Sequence, residues 1–188
     1  LSNSLTNHGP VKVFADEYLK DKDYDQNSNL KIQRIRGFKI FRKFRKAYAV
    51  NEYLKNNKVR AIFFDHWKSL EHIDIQYLNN VPNFCLIHSK EINHPINSSL
   101  NTRMNKAFIK AKFIIANSKY TSDLGARMGL EKSKIHIIHP GTEYPVPVNE
   151  DSKLSAKNIF GATFPKIITI ARLDKRKSHQ NILMTIKN

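Results

Sequence analysis

The stretch "KFIIANSKYTSDLGARMG", Lys112 to Gly129, decides the fold. Phe113–Ala116 is a compact apolar run of β-formers. Asn117 or Ser118 then offers a side-chain oxygen that can cap the next helix. In that helix Thr121, Leu124 and Met128 share one face, and Gly129 is a natural C-terminal stop. A buried strand running straight into a capped helix is the repeating half of a β–α–β unit.

The same alternation extends in both directions. "VRAIFF", Val59–Phe64, is nearly continuous in apolar residues and ends at Asp65, as a strand buried on both faces does. A partly helical segment, Lys68–Asn80, leads to the strand "NFCLIH", Asn83–His88. A loop with Pro95 and a helix near Ser99–Ala111 follow, and "KIHIIHPG", Lys134–Gly141, closes the series. Toward the N-terminus "VKVFA" (Val11–Ala15) and the alternating "LKIQRI" (Leu30–Ile35) read as two more strands, separated by a polar loop. Phe38–Asn56 switches to helical spacing. Its Phe41, Phe44 and Tyr48 form a stripe expected to face the core beside Ala47, Val50 and Leu54, with Arg42, Lys43 and Lys46 turned outward. Strands alternating with helices predict a doubly wound, mostly parallel, Rossmann-like α/β sheet.

From Gly141 to Pro165 the texture changes to prolines and a charged stretch without period, as in a connection between domains. A strand–loop–helix then begins at Lys166. So short a piece cannot bury a core of its own, and it reads as the first βα unit of a second domain. The expected organisation is a first domain over 1–144, a linker over 145–165 and the start of a second domain over 166–188.

Composition narrows the chemistry. The formal net charge is +16, and Lys31 to Lys46 carries eight Lys or Arg with no Asp or Glu. Such a patch suits an anionic partner: phosphorylated ligands, nucleic acid or an acidic membrane surface. Arg42, Lys43 and Lys46 are the expected membrane-facing cations. The single cysteine, Cys85, lies inside an apolar run, which excludes a disulfide framework and points to a reducing, cytoplasmic location, peripheral at the inner membrane face if the basic helix docks there. No apolar run approaches the ~18 residues of a membrane span. His88, Glu91 and His94 are spaced H-x2-E-x2-H, but Pro95 and neighbouring Asn residues make this a loop, and no metal site is expected.

Two constellations carry chemistry. At the last strand's end, Arg172 is followed by Lys177 at a predicted helix start. Two cations and the free N–H groups of a helix N-terminus suit a diphosphate, although the Gly-rich phosphate loops are absent and a plain basic surface loop is the alternative. In "HSKE", His88 ends a buried strand, where ligands of open α/β sheets gather. A structural or surface histidine is the plain alternative there. Glu91, Asn117, Ser118 and Thr121 are the expected pocket around it.

In order along the chain, these pieces resemble the retaining glycosyltransferases of family 4, the group 1 glycosyl transferases, which have the two-Rossmann GT-B fold. "LTNHGPVKVFA" looks like the family's "L…G-H-x-V" region, and "LIHSKE" stands where the family has "H-G-x-E". "KAKFIIANSKYTSDL" is similar to its "a-d-x-v-i-a-x-S-x-x-t-x-x-l" segment. "KIHIIHPGTE" matches the strand and turn that end the first domain, and "IITIARLDKRKSHQNIL" the opening of the donor-binding domain. The resemblance implies transfer of a sugar from a nucleotide-diphosphate donor to a glycan or lipid-linked acceptor with retention, without a metal or other cofactor. It implies that Arg172 and Lys177 hold the donor diphosphate and that His88 contacts the donor sugar at the reacting centre. Ser178 and Ser89 stand where the family has glycine. The family's first strand would precede Leu1 and its E-x7-E segment would follow Asn188, so the expectation is a fragment inactive by itself. A basic nucleic-acid-binding α/β domain and a non-catalytic scaffold are the competing readings. The first lacks any zinc-finger, homeodomain or RNA-recognition signature.

Overall fold

A computed structural model describes the chain except residues 20, 143–145, 162, 163, 165 and 188. Pro145 and Pro165 of the expected linker therefore lie outside the described residues. The chain divides into two compact units, Leu1–Gly141 and Thr142–Asn188.

The first unit runs α1 (Ser2–Leu5), β1 (Lys12–Asp16), α2 (Asp21–Gln26), β2 (Lys31–Ile35), α3 (Lys39–Asn56), β3 (Ile62–Phe64), α4 (Trp67–Glu71), α5 (Ile75–Leu78), β4 (Asn83–Ile87), α6 (Ser89–Ile92), α7 (Ser99–Ile109), β5 (Phe113–Ala116), α8 (Lys119–Arg127) and β6 (Ile135–Ile137). It is an α/β fold whose strand pairs are all parallel. Among the described residues the strands do not form one sheet: β1 pairs only with β2, and β3-β4-β5-β6 make a separate sheet of four in chain order.

That arrangement divides the single expected sheet in two. Each crossover advances one strand in the same direction, and right-handed crossovers taken one way lay their helices on one face. Phe64, Cys85, Ile87, Ile114 and Ala116 point to that face and are buried with Trp67, Leu70, Met104, Phe108 and Leu124 of the helices. Side chains alternate along a strand, so Phe63, Phe84 and Phe113 point to the other face. Phe63 and Phe84 are register partners, as are Phe84 and Phe113, and their rings stack at 4.8 and 4.9 Å, with His136 at 5.6 Å from Phe113. Phe63 is exposed, so β3 is buried on one face rather than both.

The helix over Lys39–Asn56 forms as expected but is rotated. Ala47 and Val50 are buried and Leu54 packs on the core, while Phe41, Phe44 and Tyr48 are exposed. Small Ala47 brings the helix close to its neighbours; Tyr53 meets Phe14 of β1 edge-on at 5.6 Å, and Asn51 Oδ1 accepts from the Asp74 N–H at 3.2 Å. The expected outward cations are corrected too. Lys46 is half-buried in an ion pair with Asp16 at 2.8 Å, and Arg42 donates to the carbonyls of Gly37 and Glu17, leaving Lys43 the exposed member of the three.

In the second unit, the expected linker contains a helix, α9 (Glu150–Phe160). Asn149 caps it, accepting from the Ser152 N–H at 2.8 Å, Glu150 and Asp151 occupy its first turn, and Gly161 (φ 59°) ends it. Ile167–Ala171 forms no strand: Ile167, Ile168 and Ile170 are exposed, and a strand needs a partner ladder that the described residues do not supply. A 3₁₀ turn at Lys175–Lys177 leads into α10 (His179–Lys187). Among the described residues no helix is long and apolar enough to cross a membrane.

Candidate functional site

Parallel strands deliver all their carboxyl ends to one edge, and the residues following β3, β4 and β5 meet there. Those residues are Asp65–His66, His88 and Asn117–Ser118.

His88 is exposed at the N-cap of α6, where its ring makes no capping bond. Its Nδ1 lies 3.5 Å from Nδ2 of Asn117. Asn117 is oriented from the other side: its Oδ1 accepts from the Thr121 hydroxyl at 2.8 Å, and Thr121 is buried. Ser118 Oγ caps α8 by accepting from the Thr121 N–H at 3.2 Å. The carbonyl of Asn117 is thus committed to α8 and its amide faces His88. A neutral His88 with Nδ1 toward an amide donor carries its proton on Nε2, the nitrogen left to donate to a ligand.

Glu91 lies one helical turn away and is tied to a residue that sequence reasoning did not single out. His66 Nδ1 accepts from the Lys68 N–H at 3.0 Å as the N-cap of α4, which turns Nε2 toward Glu91 Oε2 at 3.9 Å. Burial holds the His66 imidazole below its ordinary value, while Glu91 pulls the other way. Trp67, fully buried, donates its indole N–H to the Glu91 carbonyl at 3.1 Å and so fixes the C-terminal end of α6. Glu91 Oε2 and His94 Nε2 are buried without a hydrogen-bond partner among the described residues. The signal for His66 was legible: "FFDHW" places Asp65 and His66 at a strand's carboxyl end, as "LIHS" places His88.

Of the expected pocket, then, His88, Asn117, Ser118 and Thr121 are hydrogen-bonded into one set, and Glu91 joins through His66. Among the described residues no group of three His, Cys, Asp or Glu could hold a metal ion, and His88, Glu91 and His94 do not form one. The set can offer hydrogen-bond donors to a polar ligand. A cleft of about 290 Å³ lies at the opposite, amino-terminal end of β4 and β5, lined by Asn83, Lys110 and Lys112, and brings together no comparable groups.

The second unit holds Arg172 and Lys177, both exposed. The loop between them is closed on itself: His179 Nε2 lies 2.9 Å from the Arg172 carbonyl, and the Lys177 N–H donates to Asp174 O at 2.8 Å. Ser178, just before α10, has φ 52°, the left-handed region that favours glycine. Ser89, by contrast, is an ordinary first residue of α6.

No protein-family model, curated protein or solved structure matches this chain.

Proposed function

We propose that this chain acts in retaining transfer of a sugar from a nucleoside-diphosphate sugar to a hydroxyl of a glycan or lipid-linked acceptor. The observation that carries the reading is the set at the carboxyl edge of the four-stranded sheet, where Asn117 and Thr121 orient the exposed His88. The motif order supports it, as does Ser178, whose left-handed backbone occupies the position where the resembling family has glycine.

In this reading the bond between the anomeric carbon and the diphosphate oxygen breaks and a bond to the acceptor oxygen forms on the same face. The acceptor proton leaves on the departing phosphate. Arg172 and Lys177 stabilise the charge that grows on the diphosphate, a task cations perform without a metal. His88 donates from Nε2 to the donor sugar.

Calorimetric titration of the chain with a panel of nucleoside diphosphates and the parent nucleosides tests this. A charge-assisted bond to phosphate contributes roughly 1.5–3 kcal/mol, or about one to two decades of affinity. Arg172→Ala and Lys177→Ala should each weaken diphosphate binding by at least about tenfold while the nucleoside is unaffected. His88→Ala should leave diphosphate binding unchanged and abolish any extra affinity for the nucleotide sugar. Equal losses for nucleoside and diphosphate would show that the two cations are not a phosphate clamp.

A further inference from the structure

The rotation of α3 places on the surface what its pattern would normally hide. Ile40, Phe41, Phe44 and Tyr48 are 75%, 58%, 49% and 69% exposed. At 100° per residue they fall within an arc of roughly 100°, the width of a complete apolar helix face. Phe38, at the N-cap, extends the row and is 81% exposed. The core side of the same helix is already occupied by Ala47 and Val50, and of the second row Phe44 also rests against His72, at 4.5 Å between ring centroids, while staying half exposed.

Cations border the row. Lys43 Nζ stands 4.8 Å over the Phe44 ring, Lys39 is exposed at the first turn, and Arg36 is 68% exposed with only a 3.4 Å contact to Glu17. No acidic residue interrupts the segment from Lys31 to Lys46. Three occupants could bury apolar side chains here, and the charges separate them. A second copy would bring two such cationic segments face to face, which costs repulsion. A nucleic acid offers phosphates and stacking bases, yet Ile40 has no ring to stack and would gain no apolar partner. An anionic phospholipid surface supplies hydrocarbon for the row and headgroup charge for its borders.

We infer that α3 is a membrane-docking element that inserts Ile40, Phe41 and Phe44 into the headgroup–acyl boundary of an anionic bilayer, with Lys39 and Lys43 on the headgroups. The stretch from Phe38 to Tyr48 is about 15 Å long at 1.5 Å per residue, enough to lie in the plane of the interface. Docking rests on α3 alone and does not depend on the sugar-transfer reading.

The test is sedimentation of the 188-residue chain with vesicles of phosphatidylcholine alone and with one third phosphatidylglycerol. Binding to the anionic vesicles should be at least about tenfold tighter, since each cation near the surface contributes about a factor of five. Because the substituted side chains are exposed, I40S/F41S should keep the wild-type circular dichroism and melting curve, and should weaken vesicle binding by about tenfold or more. K39Q/K43Q should weaken binding to anionic vesicles and leave the neutral ones unchanged. In Phe41→Trp, the added emission should shift to the blue on anionic vesicles and be quenched by brominated acyl chains. Equal binding to both vesicle types would overturn the proposal, as would anionic binding that I40S/F41S leaves intact. Salt-sensitive binding to single-stranded RNA or duplex DNA without vesicle binding would replace it by a nucleic-acid surface. A self-association abolished by I40S/F41S would replace it by a homo-oligomer interface.

Discussion

Arg103 of α7 holds Glu71, the last residue of α4, by two parallel hydrogen bonds, Nε to Oε1 at 2.7 Å and Nη2 to Oε2 at 2.9 Å. The guanidinium keeps the Glu71 carboxyl below the usual range, chiefly through these bonds. Arg103 is 44% exposed, so solvent screening limits the pair to roughly 0.5–1 kcal/mol. Arg103→Ala should lower stability by that amount at pH 7. A lowered carboxyl contributes stability that is present above its unfolded value and is lost as the pH falls through the folded one. In urea titrations the gap between variant and wild type should therefore close on acidification below the ordinary glutamate range.

The neighbouring cap gives a second expectation. Lys110 Nζ donates to the carbonyls of Glu71 and Ile73 at 2.8 and 2.9 Å, closing the C-terminal end of α4. Lys110→Met keeps the apolar stem and removes both donors. It should cost roughly 1–3 kcal/mol, because two sheltered acceptors lose their partner. A loss below the error of a denaturant titration would mean that water replaces the ammonium without penalty.

Two histidines set a higher pH window. Burial lowers both His66 and His72 from the ordinary 6.5, against the opposing pull of Glu91 and Glu71 respectively. As pH falls below about 6.5 the unfolded chain takes up protons that the folded chain resists, so stability is full above that value and declines beneath it. His66→Asn retains a capping residue and does not titrate, and with His72→Gln it should flatten the stability profile between pH 7.5 and 5.5. A wild-type profile flat across the same interval would contradict the placement of these rings.

Cys85 should be inert. It is fully buried, and burial pushes its thiol up, away from the reactive thiolate. Iodoacetamide at pH 8 should leave it unmodified in the native chain and label it in urea, as read by mass spectrometry.

Ser178 should tolerate glycine better than serine. Its φ of 52° costs a residue with a Cβ roughly 0.5–1 kcal/mol relative to glycine. The Ile182 N–H donates to the Ser178 carbonyl at 3.1 Å and reports on the first turn of α10. Ser178→Gly should slow exchange of that amide about threefold, and Ser178→Val should speed it.

Sequence pattern alone located the four strands of the main sheet because each is a short apolar run closed by a polar residue, and it located His88 with Asn117, Ser118 and Thr121 because strand ends mark where ligands gather. Three matters were not legible. The phase of α3 depends on what it packs against: the periodicity gave two apolar stripes, Phe41–Phe44–Tyr48 and Ala47–Val50–Leu54, and the larger side chains suggested the wrong one. That β1 and β2 pair apart from the other four strands is a matter of strand partnership, which local pattern does not encode. The run Ile167–Ala171 has strong β propensity but forms no ladder, because propensity selects a conformation and only a neighbouring strand completes it. His66 and α9 are different cases, since "DHW" and the Asn149-to-Gly161 caps were visible and went unused.

The consecutive order β3-β4-β5-β6 also bears on how the molecule is made. Every strand of this sheet after β3 pairs with the one synthesised immediately before it, so no pairing must wait for a distant part of the chain. Short loop closures of this kind favour fast folding, and a chain leaving the ribosome at about 5–20 residues per second can add strands as they emerge. Each added strand also sets the next ring against the last, from Phe63 to Phe84 to Phe113 to His136. Until its successor arrives, the newest strand presents a free edge with an aromatic ring beside it, the combination most prone to pair with another chain. Slowing translation between Ile87 and Phe113 would prolong that interval, and the yield of soluble protein should fall with it.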